Sequence, residues 1–145
     1  MNVFKKILVG FDNSEGSRAA LQQAITLAKS IGSEVHALWV KGSLPHYPET
    51  ISELNEENEA ANLFQQQIES YLENLSKEKD IPIQAEARVG HPAKVIIAVA
   101  EEGQYDLIVV GERGHSGMWG NLLGHTADKI SELAKCSVLI ARQRK

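Results

Sequence analysis

The residues best suited to chemistry lie in one stretch, Val109-Val110-Gly111-Glu112-Arg113-Gly114-His115-Ser116-Gly117-Met118-Trp119-Gly120-Asn121-Leu122-Leu123-Gly124-His125-Thr126. An apolar run over 107–110 stops at Gly111. A loop carrying Gly111, Gly114, Gly117 and Gly120 follows, and Gly124 opens a helix-like segment over 126–134. Glycine lets a backbone come close to an anion, and the first N–H groups of a helix have no carbonyl behind them. Those groups offer donors and the positive end of the helix dipole. Strand, glycine-rich loop and helix start, in that order, predict a site for a phosphate-bearing ligand. The plainer alternative is a surface loop whose glycines serve turns.

The spacing narrows the choice. Gly111, Gly114 and Gly124 read G-x2-G-x9-G. This is not the Walker A pattern, which ends in Gly-Lys-Ser/Thr. The turn after the first apolar run, Gly10-Phe11-Asp12-Asn13-Ser14-Glu15, lacks the dinucleotide fingerprint G-x-G-x-x-G. Other polar residues suggest less. His36 falls in a strand, His46 in a loop and His91 before Pro92, without the spacing of a metal cluster. Glu49, Glu53, Glu56, Glu57 and Glu59 read as a solvated helix face favoured by the helix dipole. Cys136 is the single cysteine, so an internal disulfide and a cysteine zinc site are excluded. Its apolar surroundings predict a buried structural thiol.

These residues need a scaffold, and the chain is long enough for one. Its 145 residues suit one domain, spanning 1–145. With 43% apolar residues it can form a core rather than stay disordered. A net charge of -4 gives no attraction to nucleic-acid backbones or anionic membranes. Two lysines precede the run 7–9, which is far too short for a signal-peptide core or a membrane span. The expected location is the cytoplasm.

Apolar runs over 7–11 and 35–40 predict buried strands. Between them Ala20, Leu21, Ala24, Leu27, Ala28 and Ile31 keep helical period. Asn13 or Ser14 is the candidate N-cap and Gly32 the candidate C′ residue. Gly42, Pro45 and Pro48 mark a loop. Thr50-Ile51-Ser52-Glu53 has capping-box spacing. A long helix follows to about Lys79, with Leu54, Ala61, Phe64, Ile68, Tyr71, Leu72 and Leu75 inward. Residues 83–89 alternate, as a half-exposed or edge strand does. Pro92 starts a helix that ends before Gly103. Residues 107–110 and 137–141 complete the strands. The order βαβαβαβαβ predicts an α/β fold, an open parallel five-stranded Rossmann-like sheet with helices on both faces. Ligands of such sheets bind at the carboxyl ends of the strands.

Together these segments resemble the universal stress protein family over nearly the whole chain. The resemblance rests on Lys6-Ile7-Leu8-Val9-Gly10-Phe11-Asp12-Asn13-Ser14, Val89-Gly90-His91-Pro92, Tyr105-Asp106-Leu107-Ile108-Val109-Val110-Gly111 and Cys136-Ser137-Val138-Leu139-Ile140. It extends to the family's nucleotide motif, G-x2-G-x9-G-[S/T]. The resemblance implies a cytoplasmic, often homodimeric protein of a family in which one branch binds ATP and another does not. The implied ligand is ATP or another adenine nucleotide, with or without Mg. Asp12 matches the acid on the ribose or adenine side, and Val40 the residue beside the adenine ring. Gly111, Gly114 and Gly124 match the phosphate loop, which also carries Gly117, with Arg113 and Ser116 inside it as phosphate contacts. Trp119 either covers the ligand or packs on a dimer partner.

One position departs from the motif. Where the family has Ser or Thr after the last glycine, this chain has His125, followed by Thr126. One step along a helix is a rotation of about 100°, so Thr126 is not a simple replacement. Neutral His125 still offers one N–H donor.

The expected function is adenine-nucleotide binding in stress response or signalling, acting through the ligand and homodimerisation. Two alternatives stand beside it. One is a ligand-free dimerisation module. The other is a slow ATP hydrolase, for which Asp12 and Glu112 are the available carboxylates, neither with an evident partner in sequence. A phosphoacceptor receiver would need an acidic pair after the first strand and an acceptor Asp after the third. Here those positions hold Asp12-Asn13 and Val89-Gly90. The last strand is apolar and free of proline. At a sheet edge it would pair with its copy across a two-fold axis, predicting a homodimer through residues 137–142.

Overall fold

A computed structural model describes residues 3–42, 51–112 and 124–143. The strands are β1 Lys6–Gly10, β2 Glu34–Lys41, β3 Ile83–Val89, β4 Leu107–Gly111 and β5 Ser137–Ala141. The helices are α1 Glu15–Ile31, α2 Ile51–Lys79, α3 Pro92–Glu102 and α4 His125–Leu133. The five strands are parallel, in the order β3-β2-β1-β4-β5. The predicted α/β fold is therefore the observed one.

The strand order fixes where a cleft can open. The chain builds outward from β1 to β2 and β3, then returns to the other side of β1 to lay down β4. Ile7 pairs with Val35 of β2 and with Leu107 of β4. Crossovers on the two sides of β1 go to opposite faces, so the ends of β1 and β4 diverge at the switch point.

Alternation along the strands divides the core in two. Ile7 and Val9 point to one face, with Ala20, Leu21, Ala24 and Ile25 of α1 and Ile68, Leu72 and Leu75 of α2. Leu8 points to the other, with Ile96 and Val99 of α3, Ile108 and Val110 of β4 and Ile130 of α4. Ile7, Val9, Leu21 and Ile130 are wholly inaccessible to solvent. The three central strands are buried on both faces, which is why they read as continuous apolar runs. β3 is largely exposed, as its alternation predicts for an edge.

Local signals set the helix ends. Ser14 is the N-cap of α1 and accepts the Ser17 N–H; Asn13 precedes it in the left-handed region at φ 66°. Gly32 closes α1 at φ 77°. Pro92 opens α3. Several bounds differ from expectation by one residue, those of β1, β2, β4 and α4. β1 ends at Gly10, although the Phe11 N–H still donates to Leu38 O at 2.9 Å. α4 begins at His125 because Gly124, extended at ψ 156°, is the N-cap. The capping box at Thr50 and Glu53 and the inward Leu54 side chain lie outside the described residues, while Glu56 and Glu59 are exposed. Cys136 is half-buried rather than buried, because it stands at the turn into the edge strand β5. It still packs on the second core, and burial pushes its thiol up from the ordinary value of 9.0.

Candidate functional site at the carboxyl edge

At the carboxyl edge the turn after β1 is tied down by its own polar residues. The Ser14 N–H and hydroxyl both donate to Asp12 Oδ1, at 3.0 and 2.5 Å. The Asp12 N–H donates to Ser17 Oγ at 3.2 Å, and the Ser17 hydroxyl donates to Ser14 O at 3.1 Å. Asp12 thus orients the capping serine rather than capping α1 itself. This is the Asx-type behaviour expected of a short carboxylate beside a turn.

The turn after β4 closes on itself. The Glu112 N–H donates to Ala141 O at 3.1 Å, and the Gly124 N–H donates to Glu112 O at 2.6 Å. The two ends of the glycine-rich loop are therefore one hydrogen bond apart. Arg113, Gly114, Ser116, Gly117 and Trp119 lie outside the described residues. Gly111 needs to be glycine for a reason invisible in sequence: its Cα lies against the backbone of Gly16 in α1, with no room for a Cβ. That contact is internal packing, not approach to a ligand.

α4 starts without a side-chain cap, because glycine at the N-cap has none to offer. Its first helical bond runs from the Asp128 N–H to Gly124 O at 2.9 Å. The N–H groups of His125, Thr126 and Ala127 consequently have no carbonyl behind them in the helix.

Between these turns lies a cleft of about 260 Å³. Leu38, Val40, Ile96 and Val110 form its apolar wall, and Asp12, Ser14, Glu112, His125 and Thr126 line it with polar groups. Asp12, Val40, Gly111, Gly124, His125 and Thr126 are thus brought together from β1, β2, β4 and α4. His125 is exposed and Thr126 half-buried, so the two adjacent residues both border the cleft. Pro92 and Ile96 of α3 also line it and were missed in sequence. The Gly90-His91-Pro92 turn was their one available signal, since it too ends a strand at this edge. Both carboxylates have partners that were not evident in sequence. Asp12 holds Ser14, and Glu112 pairs with Arg142 at 2.9 Å. Ser14 belongs to the same turn as Asp12, and Arg142 follows β5, which lies beside β4.

The remaining histidines and acids do other things. His36 packs edge-on against Tyr105, with ring centroids 5.0 Å apart. His91 occupies the N-cap position of α3, and His46 lies outside the described residues. Among the described residues no group of three or more His, Cys, Asp or Glu is gathered to hold a metal ion. None of the described helices is long and apolar enough to cross a membrane.

The model of the universal stress protein family matches residues 4–142. The chain belongs to the universal stress protein family. Universal stress protein YxiE of Bacillus subtilis is 34% identical over 154 residues, covering 97% of this chain and 100% of that one. Universal stress protein MJ0531 of Methanocaldococcus jannaschii is 32% identical over 151 residues, covering 99% and 85%. Among solved structures, universal stress protein UspA from Lactobacillus plantarum superposes with a TM-score of 0.83 at 25% identity, covering 96% and 98%. Two more distant structures share the universal stress protein fold. One, a universal stress protein in complex with cAMP, has a TM-score of 0.70 at 22% identity, covering 97% and 98%. The other, a family protein from Arabidopsis thaliana with AMP bound, has a TM-score of 0.69 at 17% identity, covering 97% and 92%.

Proposed function

We propose that this universal stress protein binds an adenine nucleotide in the carboxyl-edge cleft and acts in stress response or signalling by binding and by homodimerising. The observation that carries the reading is the uncapped start of α4 facing an apolar wall. The N–H groups of His125, Thr126 and Ala127, which have no helical carbonyl behind them, are offered on one side, and Val40 and Ile96 offer a surface for a flat base on the other. Asp12 stands at the end of β1 where a ribose hydroxyl can donate to it. The cAMP and AMP complexes of two proteins of the same fold support the ligand class. Arg113, Gly114, Ser116 and Gly117 would complete the phosphate side, and Mg would accompany a triphosphate there.

The dimer reading rests on β5. It pairs with β4 and, among the described residues, with no other strand, and Ser137 and Leu139 are exposed along it. Its outer row of backbone groups can pair with the same strand of a second copy over residues 137–142.

A second reading, a ligand-free dimerisation module, is favoured by one observation. Glu112 lines the cleft beside the start of α4 and brings an acidic group to the side where phosphate would sit, its carboxylate paired with Arg142 at 2.9 Å. Titration calorimetry with AMP, cAMP and ATP separates the two. Saturable binding that is lost in Gly114→Val, with the fold intact, supports the nucleotide reading. An absence of heat with all three supports the ligand-free module.

A further inference from the structure

Asp12 is flanked by two residues that are each held from outside the cleft. On one side, Phe11 is 2% exposed and stacks on Tyr71 of α2, with ring centroids 5.5 Å apart and planes 10° from parallel. On the other, Asn13 sits at φ 66°, a conformation that Asn tolerates but that costs any residue with a Cβ. The Arg18 Nε–H of α1 donates to Asn13 Oδ1 at 2.9 Å. The same guanidinium lies over the other partner's anchor, with Arg18 Cζ 4.6 Å from the Tyr71 ring centre. Phe11, Tyr71, Arg18 and Asn13 therefore close a ring of contacts around Asp12. Neither Asn13, Arg18 nor Tyr71 lines the cleft.

We propose that Arg18 is a positioning residue for the cleft, holding Asp12 in place through Asn13 and, by way of Tyr71, through Phe11. The planar guanidinium suits both contacts: one edge donates to an amide oxygen while its face covers an aromatic ring. Without this bracket Asn13 loses the bond that offsets its backbone cost, and the turn relaxes toward negative φ. Asp12 then no longer meets the ligand in a fixed place. The inference takes its ligand from the adenine-nucleotide reading, but the bracket itself can be read without any ligand.

The test uses the full chain with AMP as probe. Arg18→Ala is expected to raise the Kd for AMP roughly three- to tenfold. Glycine adopts positive φ without cost, so Asn13→Gly in the Arg18→Ala background is expected to bring the Kd back to within about twofold of wild type. A role confined to general stability would leave the φ of Asn13 unchanged in the folded protein, so the affinities are read beside that angle. In ligand-free protein, the one-bond Cα–Hα coupling of Asn13 reports the sign of φ. It should keep its positive-φ value in wild type and lose it in Arg18→Ala. Unchanged affinity in Arg18→Ala, or weakened affinity that Asn13→Gly leaves weak, overturns the proposal. If wild type binds neither AMP nor ATP, the nucleotide reading fails separately. The coupling alone then decides: a positive-φ value retained in Arg18→Ala overturns the bracket, and its loss supports it.

Discussion

Gly111 at the end of β4 meets Gly16 in the first turn of α1 so closely that a Cβ built on Gly111 would stand 2.6 Å from the Gly16 carbonyl carbon and oxygen. Real Cβ atoms do not approach backbone at that distance. The contact joins the last residue of one strand to the first turn of a helix from another crossover. It thereby fixes how closely the start of α1 packs on the end of β4. Gly111→Ala is expected to cost about 1–3 kcal/mol, as overpacking of a close-packed contact does. Urea denaturation measures this. A variant as stable as wild type would mean that the two elements separate freely. Any loss of nucleotide affinity in Gly111→Ala must be read together with that cost.

The departure at His125 yields a prediction within the nucleotide reading. Its side chain is exposed at the first position of α4, beside the cleft. If ATP is a ligand, His125→Ser places a hydroxyl where the family motif has one and should tighten binding. A neutral hydrogen bond contributes about 0.5–1.5 kcal/mol and one to a charged group about 1.5–3. The dissociation constant should fall by roughly a few-fold to a hundredfold. Titration calorimetry reads the change. Weaker binding in His125→Ser would identify the histidine itself as the phosphate contact.

The proposed dimer is checked by mass. The chain is 15.9 kDa, so light scattering at micromolar concentration should give about twice that, with or without nucleotide. Leu139→Pro removes one ladder N–H from β5 and should shift the protein toward monomer. Circular dichroism must accompany it, since the same change can unfold the strand. A concentration-independent monomer in wild type would falsify pairing through residues 137–142.

Cys136 titrates high because burial penalises its thiolate, with Asp106 and Glu101 adding repulsion. Less thiolate at neutral pH means slower alkylation than in an unfolded chain. The sign for stability follows from linkage. The folded state holds the thiol proton more tightly, so this contribution is whole below the unfolded pKa. It declines as pH rises from there through the folded pKa. Iodoacetamide labelling followed by mass spectrometry, native against urea-unfolded, should give the slower rate in the native protein. Equal rates would show the thiol to be solvated.

Much of this molecule is legible in local sequence. The runs around Ile7, Val35 and Leu107 are apolar because both sheet faces cover them, and that burial leaves a continuous signal. Pro92, Gly32 and Ser14 mark helix ends through their own φ preferences and hydrogen bonds. Such features depend on residues a few positions apart, so the chain determines them by itself. The identity of the glycine-loop motif belongs to the same class.

What joins distant residues was decided only by the tertiary structure. Arg142 became the partner of Glu112 through the placing of β5 beside β4. Pro92 and Ile96 entered the cleft because α3 packs across β2 and β4. Gly111 reads from sequence as part of a phosphate loop, and the fold adds that it makes room for Gly16. Sequence patterning reports how much apolar surface each segment must bury. It leaves open which backbone will arrive on the other side, because that depends on strand order and on the crossovers that bring remote segments to one edge.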